Sequence, residues 1–234
     1  MMRLPIGRLL AMLLVVFALI PVAAPGQETS VRPGVNDSYK NPDVDQWVGR
    51  LEGEERAIYQ YRYAIVAALG LRSGMRVADI GAGTGFLTRL MAEEVGDEGR
   101  VYAMDVVPEF LEHIGRKAAA SGLDQIETVL GDQHSTGLEA GSVDLALVCD
   151  TYHHFEFPRQ TLASIHASLA DEGTLVVIDF ERIEGVSPPF ALSHMRAGRG
   201  TFSDEIRDAG FDLVKEIPLM DEVGQYYLVF KKRR

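Results

Sequence analysis

The stretch Arg76–Ala92, R-V-A-D-I-G-A-G-T-G-F-L-T-R-L-M-A, decides the fold. It opens with a short apolar run, Val77-Ala78-Asp79-Ile80, and passes through Gly81, Gly83 and Gly85. It continues with Phe86, Leu87, Leu90 and Met91 at helical spacing. The reading is strand, tight turn, helix. Glycines let the backbone turn sharply and approach a ligand closely, and the amides that open the helix point at that ligand. A dinucleotide turn calls for G-x-G-x-x-G. This chain has G-x-G-x-G, with Phe86 where the last glycine would stand. That bulk disfavours close packing around a pyrophosphate. Asp79, two residues before the first glycine, repels a phosphate and attracts a cation.

The flanking sequence extends the pattern. Arg100–Asp105 is a second strand ending in an acid, about twenty residues past the glycines, where a carboxylate can accept hydrogen bonds from both ribose hydroxyls. Pro108 to Ala120 is a helix that Gly122 stops. Ile126–Leu130 is a third strand followed by Gly131-Asp132-Gln133, and Val143–Cys149 a fourth followed by Asp150-Thr-Tyr-His-His-Phe155. A helix from Pro158 to Leu169 leads through a turn at 171–173 to a fifth strand, Thr174–Asp179. Residues 181–201 read as an irregular insert, and a capped helix starts at Ser203 and ends at Gly210. Phe211–Ile217 and Tyr226–Lys231 read as a closing antiparallel pair. The expected architecture is α/β: a doubly wound, mostly parallel seven-stranded sheet, Rossmann-like, with a closing antiparallel hairpin. In such a sheet ligands sit beyond the carboxyl ends of the strands, where the strand order reverses.

In order, D-I-G-A-G-T-G, Asp105, Gly131-Asp132 and Asp150-Thr-Tyr-His-His resemble the class I S-adenosylmethionine-dependent methyltransferases over about residues 51–231. The resemblance implies S-adenosylmethionine as cofactor, a ligand with an ammonium and a sulfonium and no phosphate. It implies Asp79, Gly81, Ala82, Gly83 and Gly85 at the glycine turn, and Asp105 with Val106 at the ribose. Asp132 would receive the adenine amino group, the backbone amide of Gln133 would face the ring, and Asp150 and Thr151 would line the methionine part. The implied reaction is in-line displacement at the methyl group. His153 or His154 would take a proton from an acceptor that must lose one. The other reading of these two histidines is a hydrogen-bonded pair that holds a loop. No metal site is expected, because the side chains of Asp150, His153 and His154 diverge and no third well-spaced ligand is evident.

The 234 residues carry a net charge of −11, which makes the chain a poor nucleic-acid binder. Cys149 is the only cysteine, so no intramolecular disulfide can form, and its apolar neighbours indicate core packing. Arg3 and Arg8 precede the apolar run from Leu9 to Ile20, and the small-residue stretch 21–26 follows. Residues 1–26 are expected to be a secretory signal peptide or an uncleaved N-terminal anchor, with the domain outside the cytoplasm. An exported location sits in tension with a cofactor made in the cytoplasm. Residues 27–50, including Trp47, read as a linker and possible lid, Glu54 to Leu69 as a helix, and residues 51–234 as the methyltransferase domain. The expected activity is methyl transfer to a small-molecule acceptor, with membrane contact only through the N-terminal segment. The alternative is a non-catalytic exported ligand-binding protein that keeps the same fold.

Overall fold

A computed structural model describes residues 29–233 of the chain. The expected signal or anchor segment, 1–26, lies outside them. Among the described residues no helix is long and apolar enough to cross a membrane.

The sheet grows around β1 (Arg76–Ile80), in which Val77, Ala78, Asp79 and Ile80 are all buried. A strand covered on both faces needs a continuous apolar run, and this run supplies it with one exception, Asp79. β2 (Arg100–Asp105), β3 (Ile126–Leu130), β4 (Val143–Cys149) and β5 (Leu169–Phe180) lie parallel to β1, and the order across the sheet is β3-β2-β1-β4-β5. β6 (Phe211–Glu216) and β7 (Gln225–Lys232) complete seven strands: β7 inserts antiparallel between β5 and β6. The strand order reverses between β1 and β4, as the doubly wound reading requires.

Helices cover both faces. α2 (Ala57–Leu69) and α3 (Phe86–Val95) pack Ile65 and Met91 against Val77 and Leu147, and α4 (Pro108–Ser121) packs Leu111 and Ile114 on Ala103. On the other face α5 (Pro158–Ser168) and α7 (Arg199–Asp208) bring Ile165 and Ile206 against Val148 and Val177. α1 (Val44–Leu51) and α6 (Pro189–His194) lie in the two segments whose spacing carried no strong period.

Three boundaries differ from expectation. α2 begins at Ala57, not Glu54: Arg56 holds the N-cap position with extended backbone, so its side chain leaves the helix face. α7 begins at Arg199, four residues before Ser203, with Gly198 as the extended residue before it. β5 begins at Leu169, not Thr174, because the expected turn is absorbed as an irregularity, with a register shift against β4 and Glu172 in the left-handed region at φ 64°.

Candidate active site

A cleft of about 1150 Å³, open mouth included, lies at the carboxyl ends of β1, β2 and β4. Its first wall is the glycine turn. The amides of Gly81 and Ala82 both donate to the Met104 carbonyl, at 2.8 and 2.9 Å, tying the turn to β2. Gly81 sits at φ 74°, and a Cβ there would lie 2.3 Å from Thr151 Cγ2, so only glycine lets Thr151 close against the turn. Thr151 donates to the carbonyl of Cys149 at 2.9 Å. Gly85, at φ 76°, faces Ile114, and a Cβ would stand 2.7 Å from its Cγ1. Gly85 therefore sets the approach of α3 to α4 and does not line the cleft, in contrast to Gly81, Ala82 and Gly83.

The acids are arranged at separate depths. Asp79 is buried and accepts from Thr88 Oγ1 at 2.6 Å; burial pushes its carboxyl up to about 6. Asp105 is also buried, accepts from the Gly83 amide at 2.8 Å and the Val107 amide at 3.0 Å, and burial raises its pKa against those bonds. The Val106 amide also bonds to this carboxylate, which still has acceptor capacity left for a ligand hydroxyl. Val106 beside it is half exposed on the cleft rim. Asp132 is exposed and accepts from the His134 and Ser135 amides at 2.7 and 2.8 Å, which hold its carboxyl below the usual range. Gln133 reaches towards Glu156 at 3.4 Å.

Asp150 opens the opposite wall with its backbone in the left-handed region, φ 51°. Arg56 Nη2 pairs with it at 2.5 Å, and Gln225 Nε2 donates to its other oxygen at 2.7 Å. Burial pushes Asp150 up to about 6, with Arg56 pulling the other way. The two histidines part company. His154 lines the cleft, with Nδ1 3.1 Å from Asn36 Oδ1 and Nε2 3.4 Å from the Tyr39 hydroxyl. Burial, and the nearby rings of His153 and His194, push it down to about 2. His153 is buried behind it, with Nδ1 2.7 Å from Asp179 Oδ1. Burial disfavours its charged form, but the Asp179 carboxylate outweighs that and the net direction is up.

Part of the arm between Thr29 and Leu51 lines the cleft. Tyr39 stacks on Trp47 at 4.6 Å, both meet Phe110 edge-on, and Tyr39 and Asn36 line the cleft. Burial pushes the Tyr39 hydroxyl up to about 12. Asn36, Tyr39, Arg56, Asp179, His194 and Gln225 were not singled out for the site by local spacing. For Tyr39 the available signal was an aromatic in a polar arm a few residues before the only tryptophan. For Arg56 it was a basic residue at the start of a helix, where acids are favoured.

Residues 77–173 match the family model described as "Methyltransferase domain". A protein-L-isoaspartate O-methyltransferase of Ignicoccus hospitalis is 37% identical over 68 residues, 29% of this chain and 32% of that protein. Aklanonic acid methyltransferase of a Streptomyces species is 36% identical over 75 residues, 32% of this chain and 34% of that protein. The chain spans about a third of the length of the curated relatives it matches. Among solved structures, a SAM-dependent methyltransferase from Aquifex aeolicus superimposes with a TM-score of 0.71 at 21% identity, covering 82% of this chain and 100% of that one. Residues 77–173 thus resemble a methyltransferase domain, and the described residues share the fold of that solved methyltransferase.

Proposed function

We propose that this cleft binds S-adenosylmethionine and transfers its methyl group to a small-molecule acceptor. The observation that carries the reading is charge: the cleft wall holds Asp79, Asp105, Asp132, Asp150 and Glu156 against a single arginine, Arg56, itself paired to Asp150. A pyrophosphate would be repelled there; a ligand with an ammonium and a sulfonium would be held. The glycine turn and the buried Thr84 hydroxyl, which has no hydrogen-bond partner among the described residues, fit the same ligand.

When bound, S-adenosylmethionine would supply an electrophilic methyl group, its bond to sulfur breaking as the acceptor atom bonds to it in line and S-adenosylhomocysteine leaving. The chain's residues orient. Asp105 and Val106 hold the ribose end; Asp132 and the Gln133 amide hold the adenine; Asp79, Asp150 and Thr151 face the cationic end. Asp150 is kept in place by Arg56 and Gln225. His154 faces the acceptor from the cleft wall as a neutral ring; His153, braced by Asp179, backs it. Residues 29–50 act as a lid, with Tyr39 and Trp47 excluding water. Acceleration comes chiefly from holding the reactants close and aligned. The relatives carry names of both small-molecule and protein methyltransferases. The aromatic cover over the mouth favours the small acceptor. The basic and apolar pattern of residues 3–20 supports an exported domain; recovery of the chain in the cytoplasmic fraction would overturn that part of the reading.

The direct test is a thermal melt with S-adenosylmethionine and S-adenosylhomocysteine. Ligand at 100 times its Kd adds about 2.7 kcal/mol, a rise of about 5–10 °C for a domain of this size. No shift with either ligand in folded protein would favour the non-catalytic binding protein instead.

A further inference from the structure

Behind the cleft wall three imidazoles converge. His153 and His154 lie on the turn after β4 and His194 closes α6. Their ring centroids are 4.3, 5.1 and 5.0 Å apart. One nitrogen from each can be chosen so that all three lie within 4.8 Å of one another. We propose that His153, His154 and His194 form a binding site for a divalent transition-metal ion of the zinc class, with one coordination position left to an oxygen donor.

Three contacts carry this. The Nε2 atoms of His154 and His194 are 3.4 Å apart. Two nitrogens each about 2.0–2.1 Å from a tetrahedral zinc stand about 3.4 Å apart. The outer nitrogens are already engaged: Asp179 takes His153 Nδ1 at 2.7 Å and Asn36 Oδ1 takes His154 Nδ1 at 3.1 Å. A carboxylate or amide oxygen in that position fixes the tautomer and leaves Nε2 as the lone-pair nitrogen, the arrangement that supports metal-bound histidines.

His194 is placed by the fold. Phe190 stacks on its ring at 5.1 Å, Arg32 donates to the Ser193 carbonyl at 2.9 Å, and Arg182 donates to the Leu192 and Met195 carbonyls, both at 3.0 Å. The sequence expectation of no metal site rested on the lack of a third ligand; His194, forty residues from His154, is that ligand. Three imidazoles select zinc, cobalt, nickel or copper over magnesium and calcium, which take oxygen donors. Three protein ligands with an open position is the arrangement of a reactive site, not a sealed structural one. The Tyr39 hydroxyl, 3.4 Å from His154 Nε2, places the cluster at the edge of the cleft. Its service to the acceptor, as a clamp on an oxygen, rests on the methyl-transfer reading; the site itself does not.

The test uses the full chain, stripped with a chelator and titrated with Co²⁺ alone, read by visible absorption. One equivalent should bind with the intense bands of four-coordinate cobalt. His194→Ala should abolish those bands, and Asp179→Asn should weaken binding about 10- to 100-fold. His134→Ala, an exposed histidine outside the cluster, should bind as the parent does. Circular dichroism and the S-adenosylhomocysteine melt shift report folding in each variant. No binding by the folded parent, or unchanged binding by His194→Ala, would reduce the cluster to hydrogen-bonded rings and overturn the proposal. Cobalt binding without any cofactor shift would instead sink the methyl-transfer reading and leave the metal site standing.

Discussion

The two walls of the cleft are built by different means. On the glycine side the main supporting bonds are short in sequence: Gly83 to Asp105 spans 22 residues, Thr88 to Asp79 spans 9, and the turn hangs from Met104 by backbone amides, with Thr151 to the Gly81 carbonyl across 70 residues as the exception. On the histidine side the partners come from afar. Asn36 reaches His154 across 118 residues, Arg56 reaches Asp150 across 94, and His194 joins from α6. The first wall is backbone geometry encoded by adjacent residues. The second is a side-chain constellation that exists only once the sheet has closed.

The contrast can be broken at four places. The largest effect is expected at the turn: Gly81→Ala forces a Cβ into the left-handed region and against Thr151, costing about 2–4 kcal/mol of stability. Urea denaturation would measure it, and adding Thr151→Ala should recover part of the overlap. An unchanged midpoint would show that the turn is more plastic than its geometry indicates. Next, Asp105→Ala should weaken S-adenosylhomocysteine binding about 10- to 100-fold, the worth of one or two hydrogen bonds to a charged group. Calorimetric affinity equal to the parent's would remove the ribose assignment.

The third effect is a pH dependence. Asp79, raised to about 6 by burial, is an acid that holds its proton more tightly folded than unfolded. The free protein should lose stability as pH rises through about 4 to 6. Asp150 pushes in the same direction, so Asp79→Asn is needed to isolate the one group. A cationic ligand favours the ionised form, so affinity should rise about tenfold between pH 5 and pH 7. Asp79→Asn should flatten that rise; a slope that survives the substitution would place the titrating group elsewhere. The smallest effect belongs to the lid. Trp47→Ala removes one stacked partner of Tyr39 and should weaken ligand binding about 2- to 10-fold. Stopped-flow release rates would show whether the loss lies in escape from the cleft.

Legibility followed the same division. The seven strands, their mostly parallel order and the antiparallel closure could be read from apolar runs and glycine punctuation. The placements of Asp79 and Asp105 followed from their positions at strand ends, and those of Asp132 and Asp150 from the resemblance to the methyltransferase motifs; all four line the cleft. The start of α2 was misplaced because Glu54 and Glu55 are good helix formers, whereas the real chain leaves Arg56 extended to pair with Asp150. α6 was missed because six residues beginning at Pro189 carry too little period to register.

By itself the sequence determined the doubly wound sheet, the glycine turn and the acids at the strand ends, because strand period, turn chemistry and chain direction are local properties. Only the tertiary structure decided that His154 faces the cleft while His153 lies buried on Asp179, that Arg56 holds Asp150, and that His194 completes a ring of three imidazoles. Those pairings depend on which distant segments the sheet brings within a few ångströms, and no spacing along the chain records that distance.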